Sequence, residues 1–177
     1  YHPENRNTRY IKKDSAQNIQ IVAIESNSDA AFTPYQIAID HVAGYVYIAG
    51  GRYILRADVN GTSTAQVLYD LGGGALALGI AIDTESAKLY FTETLSGDIF
   101  VANLDGTGSP SVLYSTTAST GNLKNIALDL INGKIYYADS TGGNDGVFRY
   151  DTDGTSASAT EIVSGLDQPY GVAVDPE

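Results

Sequence analysis

The sequence predicts an all-β protein built from repeated four-stranded antiparallel sheets, the blades of a β-propeller, and three observations predict it. Composition is the first: 13 Tyr, 4 Phe and 19 Gly, with no Cys, Met or Trp in 177 residues. Aromatic and β-branched residues suit pleated strands, and glycine suits tight turns. The second is a repeat, in which "YQIAID", "LGIAID", "KNIALD" and "YGVAVD" end at Asp40, Asp83, Asp129 and Asp175, spaced by 43, 46 and 46 residues. The third is that turn residues recur at fixed places within each period, without the 3.6-residue apolar spacing of helices. Four short strands in each period make a blade, and neighbouring blades bury each other's faces.

Strand one of each blade is the apolar segment that stops at the aspartate. Strand two follows as "YVYIAG" (45–50), "KLYFTE" (88–93) and "KIYYAD" (134–139), with Tyr47, Tyr90 and Tyr136 in register. The turns before it carry Ala43-Gly44, Ala87-Lys88 and Asn132-Gly133, so strands one and two pair antiparallel. Strand three is "ILRADVNG" (54–61), "IFVANLDG" (99–106) and "VFRYDTDG" (147–154), each closed by Asn-Gly or Asp-Gly, which suits a type I′ turn. Strand four folds back with Val67-Leu68, Val112-Leu113 and Ile162-Val163. The register places Tyr47, Tyr90 and Tyr136 between blades. "LGGGA" (71–75) lacks the helix that a dinucleotide fingerprint requires and reads as a linker between blades.

These blades resemble the YWTD repeat of the low-density lipoprotein receptor family of β-propellers. The fullest copy is "GIAIDTESAKLYFTETLSGDIFVANLDGTGSPSVLY" (79–114), an apolar strand ending in Asp, a YWTD-like strand and an A-x-L-D-G hairpin. The four-residue signature stands here as "YIAG", "YFTE" and "YYAD", none with the Trp. The resemblance implies an interaction platform, usually six-bladed and extracellular, with structural Tyr and Asp positions and no catalytic residues to carry over.

The repeat divides the chain as a single domain, 1–177, with blades at about 33–76, 77–122 and 123–169. A fourth blade is split between 1–32 and 170–177. "RYIKKDSAQNIQIV" (9–22) aligns with strands three and four, and "YHPE" (1–4) falls where strand two belongs. Three arrangements stay open: closure within one chain, head-to-tail completion by a neighbouring copy, or a segment of a longer propeller. In the first two, "GVAVD" (171–175) pairs with the N-terminal segment of the same or another copy.

Charge and composition exclude several function classes. The 21 Asp and Glu against 10 Lys and Arg give a net charge of −11, which disfavours nucleic acid and anionic lipid. No segment approaches the roughly 20 apolar residues that cross a bilayer, so membrane insertion is not expected. The absence of Cys removes disulfides and thiolate chemistry, and His2 and His41 are too few for a triad or a histidine metal site. Asp40, Asp83, Asp129 and Asp175 could ring a Ca²⁺ on the axis, but capping of their own turns is the better reading. No cofactor is expected.

The loops that enter strand one contribute Tyr35, Gln36, Leu78, Lys124, Asn125 and Tyr170, the candidate partner-binding face. Aromatic rings beside amides suit protein or glycan contact. The competing reading is that Tyr35 and Tyr170, each after a proline, only pack the top of the ring. Asn60-Gly61-Thr62 is an N-glycosylation sequon at a hairpin tip, and "STTAST" (115–120) and "TSASAT" (155–160) could carry O-glycans.

The leading functional expectation is a non-enzymatic extracellular or cell-surface module that binds a protein partner or further copies of itself. Two others stand beside it. One is a head-to-tail fibre subunit completed by strand addition, and the other is a lactonase- or gluconolactonase-like hydrolase with a divalent metal, drawing on Asn125, Asp145 or Glu93.

Overall fold

The computed structural model describes residues 8–13, 19–24, 32–61, 65–116, 122–142 and 145–175, the first two ranges as backbone strands. Among these residues there are strands and turns and no helix. Strands β1 (Thr8–Lys13) and β2 (Ile19–Ile24) form a two-stranded antiparallel hairpin. The first blade holds β3 (Pro34–Asp40), β4 (Tyr45–Gly50), β5 (Tyr53–Asp58) and β6 (Gln66–Asp70), hydrogen-bonded in chain order. The second holds β7 (Ala77–Asp83), β8 (Lys88–Glu93), β9 (Asp98–Asn103) and β10 (Ser111–Ser115). The third holds β11 (Leu123–Asp129), β12 (Lys134–Asp139), β13 (Gly146–Asp151) and β14 (Thr160–Ser164). Every pairing within a blade is antiparallel, as in a propeller.

The hairpins between strands three and four are not type I′ turns. That turn needs positive φ at both central residues, but only the closing glycines Gly61, Gly106 and Gly154 are left-handed, at +67°, +87° and +71°. Their N–H groups donate to the carbonyls of Asp58, Asn103 and Asp151 at 2.9, 3.3 and 3.2 Å. The connection is a turn with right-handed central residues followed by a left-handed glycine. Local carboxylates supply the reason, because Asp58 accepts from the Asn60 N–H and Asp105 from the Thr107 N–H, holding the ordinary backbone conformation.

Blades meet through opposite faces. Residues paired across a ladder share a face, so Tyr47, Ala49, Ile54 and Tyr69 of the first blade form one apolar surface. It buries against Ala77, Ile80, Leu89 and Phe91 of the second blade. In the same way Tyr90 and Ile99 of the second blade bury against Leu123, Ile126, Ile135 and Tyr137 of the third. Tyr114 joins this junction, its ring centroid 4.3 Å from Tyr150 and 6.3 Å from Tyr137. Burial disfavours the charged phenolate and pushes the hydroxyls of Tyr47, Tyr90 and Tyr137 up.

The tyrosine register therefore holds for two positions and not for the third. Tyr47 and Tyr90 are 1% and 5% exposed, whereas Tyr136 is half-buried. Tyr136 lies on the face that points away from the second blade, and no further four-stranded sheet follows among the described residues. Residues 170–175 likewise form no ladder, in contrast to the strand expected there. Val172 and Val174 are half-buried while Gly171, Ala173 and Asp175 are exposed, the alternation of a strand without its hydrogen-bonded partner. Strand one of each complete blade takes its ladder from the strand two that follows it, and here none follows among the described residues. The expected strand two at 1–4 lies outside them.

Candidate partner-binding face at the channel mouth

The innermost strands β3, β7 and β11 lie side by side, and the third residue of each sits where they meet. In the first blade that residue is Gln36, whose amide links all three strands. Its Oε1 accepts from the Ile80 N–H at 3.1 Å and from the Ile126 N–H at 3.4 Å, while its Nε2 donates to the Ile126 carbonyl at 3.2 Å. The second blade has Gly79 in this place, and a Cβ there would come within 2.6 Å of the Lys124 carbonyl. Beside it Thr92 accepts from the Gly79 N–H at 2.8 Å and donates to the Lys124 carbonyl at 2.7 Å. The third blade has Asn125, whose N–H donates to the Tyr170 carbonyl at 3.1 Å and whose Oδ1 is buried without a hydrogen-bond partner among the described residues.

Above this plug stands a cluster of two rings and one ammonium. The Lys124 Nζ lies 5.6 Å from the Tyr170 ring centroid and donates to the Asn122 Oδ1 at 2.6 Å. Burial, and then the neighbouring Tyr35 hydroxyl, push the Tyr170 hydroxyl up. Both rings keep surface for contact, Tyr35 being 40% and Tyr170 46% exposed. The Ser140 hydroxyl donates to the Pro169 carbonyl at 2.7 Å and fixes the segment that carries Tyr170. Of the six residues expected at this face, Leu78 differs: it is 4% exposed and offers a partner almost no surface. Sequence reasoning did not single out Thr92 or Asn122, although Thr92 sits at the third place of the "YFTE" signature.

The other candidate residues are occupied by turns. Asp40 Oδ1 accepts from the N–H groups of Val42 and Ala43 at 2.9 and 2.8 Å, and Asp83 Oδ1 from those of Glu85 and Ser86 at 3.0 and 3.1 Å. Asp129 accepts from the Asn132 side chain at 2.7 Å and its N–H at 3.0 Å, which hold its carboxyl below the usual range. Asp175 is exposed. Glu93 accepts from the N–H groups of Leu76, Leu95 and Ser96, and Asp145 from that of Gln168. No group of three His, Cys, Asp or Glu side chains converges among the described residues. Asn60 is exposed at its hairpin tip, and Thr62 of the sequon lies outside the described residues. His41 is exposed.

No family model matches the chain. It is 30% identical over 110 residues to Protein cueball of Drosophila yakuba, which takes in 62% of this chain and 17% of that protein. The chain thus spans a small part of that relative. Among solved structures it superimposes on the nidogen/laminin complex with a TM-score of 0.71 at 20% identity, over 91% of this chain and 58% of that one. It also superimposes on a catalytically inactive virginiamycin B lyase from Staphylococcus aureus with quinupristin. There the TM-score is 0.70 at 15% identity, over 96% of this chain and 53% of the lyase. Among the described residues no helix is long and apolar enough to cross a membrane. With three antiparallel four-stranded sheets packed face to face around common innermost strands, the chain has the fold of a β-propeller.

Proposed function

We propose that this chain is a non-enzymatic, extracellular propeller module that binds a protein partner through the channel mouth. The observation that carries the reading is the pair of neighbouring exposed rings, Tyr35 and Tyr170, the second of them against the Lys124 ammonium, beside the Gln36 amide that links the three innermost strands. Rigid aromatic surface beside a cation lets a partner bury apolar area at little cost in side-chain entropy. The similarity to the nidogen/laminin complex supports a protein partner, and the resemblance to extracellular YWTD propellers supports the location. Against a metal-dependent hydrolase stands the use of Glu93 as a turn cap.

Panning a displayed peptide library against the chain tests the reading. Enriched peptides are expected to lose at least about tenfold in affinity with Tyr170→Ala or Lys124→Glu, and to keep it with Glu161→Gln on the exposed strand β14. Peptides indifferent to both mouth variants would remove the assignment, and turnover of a lactone panel with added divalent ions would favour the enzyme. A second reading, head-to-tail assembly, is favoured by Ile37 and Ile39. These face away from the second blade and are each 40% exposed, whereas Ile80 at the register position of Ile37 is 1% exposed. Concentration-dependent growth in light scattering is its expected signature.

A further inference from the structure

A groove of about 430 Å³ opens between the first and second blades, at the end opposite to Tyr35 and Tyr170. Antiparallel strands put it there, because it is lined by Asp40 at the end of β3, by Tyr45 and Arg56 beside that end, and by Ala87 and Asp105 from turns of the second blade. The volume falls in the range of small-molecule sites.

Part of this lining is not what the repeat needs for its packing. Tyr47 packs between blades and recurs as Tyr90, but Tyr45 and Arg56 stand where the second blade has Lys88 and Val101 and the third has Lys134 and Arg149, so the tyrosine is peculiar to the first blade and the Tyr45–Arg56 pair with it. Arg56 is held from three sides. Its guanidinium carbon lies 4.6 Å from the Tyr45 ring centroid, it donates to the Gln66 Oε1 at 3.2 Å, and it neighbours the Tyr47 hydroxyl directly across the ladder. A fixed guanidinium presents a planar fork of donors. Asp40 and Asp105 flank it, each with an oxygen already engaged by its own turn.

The backbone supplies an independent sign. Ala87 adopts φ +54°, in the place where the other two blades have Gly44 at +75° and Gly133 at +62°. The left-handed region costs an L residue about 1–2 kcal/mol, and strain of this kind collects at ligand sites. The side chain kept at that cost lines the groove.

We propose that this groove is a binding site for a neutral saccharide. One cation against two carboxylates repels a simple anion, whereas sugar hydroxyls can donate to Asp40 and Asp105 and accept from Arg56 at once. The Ala87 methyl, Ala43 and the Tyr45 ring offer apolar surface to the C–H face of a pyranose. This site is separate from the channel mouth, so the two assignments stand or fall independently.

Neutral mono- and disaccharides screened by saturation-transfer NMR, with calorimetry on the best binder, test the proposal. Arg56→Val and Tyr45→Lys install the residues that the second blade carries at the same register, and Glu161→Gln serves as the control. The expected result is a disaccharide that binds the chain and loses at least about tenfold in affinity with either groove variant, at an unchanged melting temperature and with the control unaffected. A groove variant that fails to fold is replaced by the saccharide's chemical-shift footprint on the unmodified chain, expected at Tyr45, Arg56 and Ala87. The proposal is overturned if no neutral saccharide binds at millimolar concentration, if binding survives both variants, if the footprint lies elsewhere, or if free amino acids occupy the groove and displace the sugar.

Discussion

Tyr90 and Tyr136 hold the same place in consecutive repeats, the third residue of strand two, yet one is sealed and the other half-buried. Their ladders are alike: each pairs with strand one on one side and strand three on the other. What differs is the sheet beyond. Tyr90 packs on Ile126, Ile135 and Tyr137 of the third blade, and no corresponding four-stranded sheet covers Tyr136 among the described residues. A repeat thus fixes which way a side chain points, while its burial, and the stability drawn from it, belongs to the neighbouring blade.

The comparison breaks if the two tyrosines respond alike to truncation. Tyr90→Ala is expected to cost about 3 kcal/mol or more in chemical denaturation, in the range of large-to-small aromatic changes in a core. Tyr136→Ala should cost about 1 kcal/mol or less, as at other partly exposed positions. A glycine pair sharpens the same contrast. A Cβ at Gly79 would press on the Lys124 carbonyl and on Thr92, whereas one at Gly171 meets nothing within 4 Å. Gly79→Ala should therefore lose about 1–3 kcal/mol through overpacking, and Gly171→Ala should stay within about 0.5 kcal/mol.

Acid should loosen the third blade before the first two. Three carboxylates there, Asp129, Asp151 and Asp153, are held below the usual carboxylate range chiefly by bonds from Asn132, Lys134 and Thr155 respectively, and one in the second blade, Asp105, by the Thr107 N–H. A depressed folded-state pKa contributes stability that is present above the ordinary carboxylate value, near pH 4, and is lost as pH falls through the folded value. NMR spectra recorded down an acid titration should show β12 and β13 signals shift first. One expected effect is a gain: Ala87→Gly relieves the left-handed strain and should add about 0.5–1 kcal/mol, less the backbone entropy of the new glycine. A loss of stability there would mean that the methyl contributes packing that outweighs the strain.

The blades were legible because their signals are local and repeated. The aspartates at 40, 83 and 129 mark strand ends, and the carboxylates do cap the turns that follow. Turn type was harder: an Asn-Gly or Asp-Gly pair fits a left-handed pair or a single left-handed glycine equally, and the carboxylate contacts around it decide. The channel mouth was legible as a set of positions rather than as chemistry. Leu78 shares its register with Lys124 but packs inward, since an apolar side chain gains by turning from water. The reach of Gln36 to Ile126, 90 residues away, has no sequence signal, because it depends on the space left at Gly79. Arg56 over Tyr45 was equally hidden, being a cross-strand diagonal rather than a motif.

Amide hydrogen exchange resolved by strand tests most directly the claim that burial comes from the next blade. Strand β8, with a blade on either side, is expected to exchange only through global unfolding, whereas β14 and the 170–175 segment exchange through local opening at much lower free energy. Strand β12, with a four-stranded sheet against one face only among the described residues, should fall between them. Equal protection of β8 and β12 would contradict the account, because it would mean that each blade is stable without a neighbour on its second face.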